Sequence, residues 1–148
     1  MSKIDKFDGP YRFLSNFWPS PVMFCGDTYH TVEHAYQAAK TLDLRARAKF
    51  RDGTITAGMA KRMGKELVLR PNWDIIKTTV MECLIKQKFR DKTLKQMLLE
   101  TAPALLIEGN TWHDRFWGEC YCPNHKNNPG KNNLGTILMR VRDELGRV

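Results

Sequence analysis

No stretch of this 148-residue chain reaches the about 18 consecutive apolar residues that a membrane-spanning helix needs. The first nine residues carry charges and no apolar block, so a secretion signal is not expected. The chain has no Gly-x-x-x-x-Gly-Lys-Ser/Thr loop, no dinucleotide-binding glycine fingerprint and no His-Glu-x-x-His pair. Those absences remove P-loop kinase, Rossmann dehydrogenase and zinc-protease chemistry. Repeats, low-complexity tracts and linker-like stretches are missing too. Cysteine is scarce: Cys25, Cys83, Cys120 and Cys122 are the four. In a chain of this kind they are expected as free thiols in a cytoplasmic setting, with no membrane partner.

What is present suits one globular domain, taken as residues 1–148. A chain this long hides roughly two-thirds of its unfolded surface on folding, enough for a core without staples. With 42% hydrophobic and 27% charged residues, disorder is excluded. The net charge of +8, from 24 basic and 16 acidic side chains, attracts phosphate on nucleic acid or on a nucleotide-like ligand. It serves solubility equally well, so charge alone does not choose.

Aromatic, proline and glycine residues between 7 and 29 read as loop with short strands, among them Val22-Met23-Phe24 ended by Gly26-Asp27. From Thr31, a candidate N-cap, the period turns helical: Val32, Ala35, Tyr36 and Ala39 share a face. Further helices are predicted from Leu44 to Arg51 and from Thr56 to Met63, the latter closed by Gly64. A long one follows Pro71-Asn72 with a Trp73, Ile76, Val80, Leu84 stripe and ends near Phe89. Leu94, Met97 and Leu98 mark another, and Leu134, Ile137, Leu138, Val141 and Leu145 the last. Pro103 to Ile107 reads as a short apolar turn, and residues 110–133 as irregular. The expected class is therefore mainly α, with a short N-terminal β/loop element. The irregular segments 7–30 and 109–133 are where sites on a rigid scaffold usually lie.

Five constellations carry possible chemistry. Glu33 falls in the first turn after Thr31, where free N–H groups and the helix dipole favour an anion. It suits a base or a partner for a cation, although first-turn glutamates also serve plain capping. Trp112-His113-Asp114-Arg115-Phe116-Trp117-Gly118 sets aromatic faces beside a carboxylate and a cation, as a base-plus-sugar ligand needs; the alternative is a loop sealing the core. Pro129 to Gly135, with Lys131 and Asn132, runs into a helix start where phosphate can dock, or merely turns the chain. Arg12, Phe13, Ser15 and Asn16 are hydrogen-bonding and aromatic groups that burial would make anchors. Cys120, Cys122 and His125, with or without His113, resemble part of a zinc site. The usual second cysteine pair is absent and Cys25 and Cys83 are distant in sequence, so no metal is assigned.

In order and spacing, Phe13–Phe17, Thr31–Lys40, Ala60–Gly64, Lys88-Phe89, Asp114–Gly118 and Gly130–Gly135 resemble the NADAR family, also called YbiA-like, from about Phe7 to Leu145. The resemblance implies a compact, mostly helical fold and N-glycosidase activity without metal or organic cofactor. It implies two substrate groups: phosphorylated ribosylamino-pyrimidines of riboflavin synthesis, and ADP-ribose on guanine of nucleic acid. By motif match it implies Glu33 and Asp114 as catalytic carboxylates. Trp117, Gly118 and Asn132 follow as substrate-binding residues, with Arg12, Asn16 and Lys61 or Arg62 beside them. Trp117, with Phe13 or Trp112, would stack on the base. Lys131 and Asn132, with Arg12 or Arg62, would hold phosphate. The stretch from Glu119 to Asn128 lies outside the family pattern. The other classes compatible with the residues are a non-catalytic ADP-ribose or nucleotide-binding module and a basic nucleic-acid-binding module with a zinc knuckle.

Overall fold

A computed structural model describes residues 2–147. In chain order the elements are β1 (Lys3–Ile4), β2 (Val22–Phe24), β3 (Asp27–Tyr29), α1 (Val32–Ala39), α2 (Leu44–Lys49), α3 (Ala57–Gly64), α4 (Trp73–Lys88), α5 (Lys92–Glu100), β4 (Leu105–Leu106), β5 (Gly109–Asn110), β6 (Glu119–Cys120) and α6 (Asn133–Gly146). Two 3-10 turns, Gly9–Leu14 and Pro123–His125, complete the set. They form two compact units, one of residues 16–88 and one of 1–15 with 89–148. No helix of the described residues is long and apolar enough to cross a membrane.

Helices begin where a side-chain oxygen meets a free backbone N–H. Thr31 accepts from the His34 N–H to cap α1, and Thr56 from the Met59 N–H to cap α3. Asp43 and Asp91 do the same for α2 and α5. In the unit of residues 16–88, α1 lies at the centre with all eight residues buried. It packs against α2, α3, α4 and the hairpin β2–β3. That hairpin turns on Cys25 and Gly26, both at positive φ, as a two-residue turn of primed type requires. The close approach of α3 to α1 depends on Gly64. A Cβ there would overlap the side chain of Gln37. Gly64 is thus the last residue of the helix, chosen for space. Lys65, not a left-handed glycine, forms the C-cap.

In the other unit, α6 buries Leu134, Ile137, Leu138 and Val141 against β4 and α5. Buried Arg142 donates to the Thr101 hydroxyl at 3.0 Å and the Ala104 carbonyl at 2.8 Å, fixing the chain ahead of β4. Strand β1 pairs in parallel with β4, and β5 in parallel with β6.

The expected mainly α class is corrected by these strands. The chain is a mixed α/β fold, about 48% helix and 10% strand. The reason is length and separation. Strands β1, β4, β5 and β6 have two residues each, too few to show alternation, and Lys3 finds its partner at Leu105. The Pro103–Ile107 turn therefore contains a strand, and the irregular 110–133 stretch contains β6.

The buried face of α4 is Trp73, Met81, Leu84, Ile85 and Lys88, one step round from the predicted stripe. Ile76 and Val80 are only half-buried. Lys88 is 1% exposed, and burial pushes its pKa down to about 7. Between that value and the ordinary 10.5 the unfolded chain holds the proton and the folded chain does not. The Lys88 contribution to stability therefore rises with pH, by at most about 1.4 kcal/mol per pH unit. Denaturant unfolding of wild type and Lys88→Met at pH 7 and pH 9 tests this: the advantage of the variant should shrink at pH 9. A constant difference would show that Lys88 titrates as an ordinary lysine.

Candidate active site

The unit of residues 16–88 holds one set of predicted residues at the start of α1. Glu33 is buried, its backbone N–H donates to the Asn16 carbonyl at 3.1 Å, and its Oε2 accepts from Gln37 Nε2 at 2.9 Å. The spacing of Glu33, Gln37 and Lys40 puts them on one face of the helix. His34 is fixed at both ring nitrogens. Its Nε2–H donates to the Ile55 carbonyl at 2.7 Å, so Nδ1 accepts from the Thr31 hydroxyl, also at 2.7 Å. Two buried acceptors beside Glu33, Asn16 Oδ1 and Gln37 Oε1, have no hydrogen-bond partner among the described residues. Buried acceptors are rarely left so.

A positive cluster surrounds the end of that face. Burial lowers the Lys40 pKa; the Glu33 carboxylate opposes that effect, and Lys77, Lys61 and Lys65 add to it. The Lys40 ammonium stands 5.6 Å from the Tyr36 ring centre, and Tyr36 lies 5.3 Å from Trp73, ring to ring. Of the pair Lys61 and Arg62, Lys61 belongs to this cluster. Arg62 is exposed, with its guanidinium beside Gly58.

The unit of residues 1–15 and 89–148 holds the rest. One carboxylate oxygen of Asp114 accepts from the backbone N–H groups of Phe116 at 3.1 Å and Trp117 at 2.9 Å. Asn110 clasps the same residue, accepting from the Asp114 N–H and donating to its carbonyl. Phe116 and Trp117 meet edge to face at 4.8 Å, and the Lys131 ammonium lies 5.8 Å from the Phe116 ring centre. Gly118 is buried against Glu108, where a Cβ would overlap both its carboxylate and its carbonyl.

Both ends of the Asn132 amide bond to the backbone. Its Oδ1 accepts from the Glu108 N–H at 3.0 Å and its Nδ2 donates to the Leu106 carbonyl at 2.9 Å. The first N–H groups of α6 are used as well: Asn133 donates to the Phe116 carbonyl and Leu134 to that of Trp117. The anion site expected at this helix start is thus filled by the protein's own carbonyls. Gly130, at φ +137, permits the approach, since a Cβ there would meet the carbonyls of Arg115 and Gly118. Arg12 is exposed on its 3-10 turn. Phe13 is buried and lines a cavity of about 490 Å³ with Tyr11, Met97 and Glu100. The metal-like group is more complete than its spacing implied. His113 joins Cys120, Cys122 and His125, with all four ligand atoms within 4.8 Å of one another.

Sequence reasoning missed Gln37, Lys40, Lys65 and Lys77. The i, i+4, i+7 spacing from Glu33 would have found the first two. Lys65 and Lys77 carry no sequence signal, because only packing brings them near Lys40.

A family model described as the NADAR domain matches residues 4–146. The chain is 39% identical over 139 residues to N-glycosidase YbiA of Shigella flexneri, covering 91% of this chain and 82% of that protein. It is 35% identical over 141 residues to a riboflavin biosynthesis protein of Vibrio vulnificus, covering 93% of this chain but 36% of that protein. The NMR structure of YbiA from E. coli is similar at a TM-score of 0.80 and 36% identity, covering 99% of this chain and 87% of that one.

Asn132→Ala removes two buried backbone hydrogen bonds and places alanine at φ +50. It should cost about 2 kcal/mol or more in a urea unfolding curve. Exposed Lys131→Ala should stay within about 0.5 kcal/mol of wild type. An Asn132→Ala midpoint equal to that of wild type would show that the amide is not structural.

Proposed function

The chain belongs to the NADAR domain family and is an N-glycosidase, a hydrolase of N-glycosyl bonds, and we propose from that premise that it cleaves a phosphorylated ribosylated heterocycle with Glu33 as the acting carboxylate. The observation that carries this reading is the single face of α1 on which Glu33, Gln37 and Lys40 lie.

Cleavage breaks the bond between C1′ and the base nitrogen and leaves positive charge on the ribosyl carbon. Water gives its hydroxyl to C1′, and its proton passes by way of Glu33 to the departing base, so the carboxylate ends ionised as it began. A buried carboxylate fixed by Gln37 meets that charge with little reorganisation, where a low dielectric strengthens the attraction. Glu33 therefore stabilises the developing cation and takes the proton from the attacking water. The orphaned acceptor Asn16 Oδ1 suits a donor such as a ribose hydroxyl or a base N–H group.

Lys40, with Lys61, Lys65 and Lys77 around it, supplies the phosphate subsite. The cluster suits the phosphates of either substrate group; the name of the Vibrio relative favours a phosphorylated ribosylamino-pyrimidine over ADP-ribosylated guanine. Asp114, with one oxygen committed to the backbone of Phe116 and Trp117, suits holding that turn in shape rather than proton transfer. No metal is assigned to the reaction, because a positive carbon calls for a negative partner and a carboxylate is one. None of the four cysteines is in a disulfide, which fits a reducing, cytoplasmic setting.

Glu33→Gln keeps the hydrogen bond to Gln37 and loses the charge. It should lower kcat by about a hundredfold or more while keeping a cooperative melting transition. Release of base at the wild-type rate would reject Glu33 in this role. Lys40→Met should raise KM for the phosphorylated substrate by about tenfold and change KM for the dephosphorylated analogue little. Equal losses on both forms would place the phosphate elsewhere.

A further inference from the structure

His113, Cys120, Cys122 and His125 belong to three stretches of backbone that the β5–β6 pairing draws together. His113 follows β5, Cys120 ends β6, and Cys122 and His125 bracket the 3-10 turn at Pro123. We propose that these four side chains form a structural zinc site of the Cys2His2 kind, independent of the catalytic carboxylate.

In a tetrahedral site zinc stands about 2.3 Å from sulfur and about 2.0–2.1 Å from nitrogen, which sets neighbouring sulfur and nitrogen ligands about 3.5 Å apart. Here Cys122 Sγ lies 3.2 Å from His125 Nδ1 and 3.4 Å from His113 Nδ1, and Cys120 Sγ lies 3.8 Å from His113 Nδ1. Those match three of the six edges of such a tetrahedron, and the remaining pairs lie within 4.8 Å. Hydrogen bonding accounts for them less well. Cys122 has one S–H to give but faces two imidazole nitrogens, and the Nδ1 of His113 faces two sulfurs. A cation at the centre accepts a lone pair from all four at once.

Two further features agree. His113 is held at φ +73, a backbone conformation rare outside glycine that tends to be kept where a functional contact demands it. Both cysteines are buried, whereas Cys25 and Cys83 are exposed. Two sulfurs with two nitrogens in tetrahedral array select zinc among the common metals. Four protein ligands leave no open position for water, which makes the site structural rather than hydrolytic. Its effect is local. His113 directly precedes Asp114, so the metal would fix the beginning of the Asp114–Trp117 turn in a stretch whose only regular structure is β6 and one 3-10 turn.

The test uses the full chain, expressed without a metal-binding tag and purified without chelator. Elemental analysis should find one zinc per chain. Replacement by Co2+ should give the intense visible bands of tetrahedral cobalt and a thiolate-to-metal charge-transfer band. Cys120→Ser/Cys122→Ser should lose both metal and bands. Should that variant fail to fold, the cobalt spectrum of the wild type decides alone. Substoichiometric zinc after incubation with a zinc salt, with no charge-transfer band from cobalt, would overturn the proposal. So would a folded double variant that keeps its zinc.

Discussion

A helix buried along its whole length ordinarily carries apolar residues on every face. Helix α1 is buried in that way yet carries Glu33, His34 and Gln37. Each of those groups would be costly inside without a partner, so the packing around α1 is arranged to supply partners. His34 is held between Thr31 and Ile55. Glu33 is held by Gln37, and Gln37 has room only because residue 64 of the neighbouring helix has no side chain. The hydrogen bond from Gln37 to Glu33 thus fixes the approach of α3 to α1. Lys61, on α3, and Lys65, at its C-cap, come with that approach. Charge, space and helix packing in residues 16–88 follow from keeping one carboxylate inside.

The second unit solves a different problem. Between β5 and α6 the chain has little regular structure to satisfy its backbone. Asp114, Asn110 and Asn132 take the place of a sheet or helix, each bonding to main-chain groups. These residues look like ligand-binding groups in a sequence because they are polar, sit among aromatics and lie in a loop. The same properties make them good substitutes for secondary structure. Their polar atoms meet backbone, and the loop keeps its shape through them.

Much of the helical content was legible. Thr31, Thr56 and the apolar spacing along α1, α4 and α6 act within a few residues, and local forces placed those helices nearly where they are. Glu33 was legible for the same reason, since capping and helix position are local. The strands were not. A two-residue strand has no pattern to detect, and Lys3 cannot announce Leu105. Nor was Lys88 marked, because a lysine that ends a helix reads as solvated until packing closes over it.

The sequence by itself determined where helices start, which of their faces turn inward, that the chain is basic, and that an acidic residue occupies the first turn of α1. Those features depend on neighbours within about two helical turns, where spacing is the geometry. Only the tertiary structure decided which polar side chains bond to distant backbone. It gathered Lys61 of α3, Lys65 at the α3 C-cap and Lys77 of α4 around Lys40. It turned the amide of Asn132 toward Leu106 and Glu108. It brought His113 to within reach of Cys120, Cys122 and His125, completing a set of four that chain spacing alone leaves open. The physical reason is common to all three. A side chain's chemistry depends on what lies within about 3–4 Å of its end, and those neighbours come from distant parts of the chain.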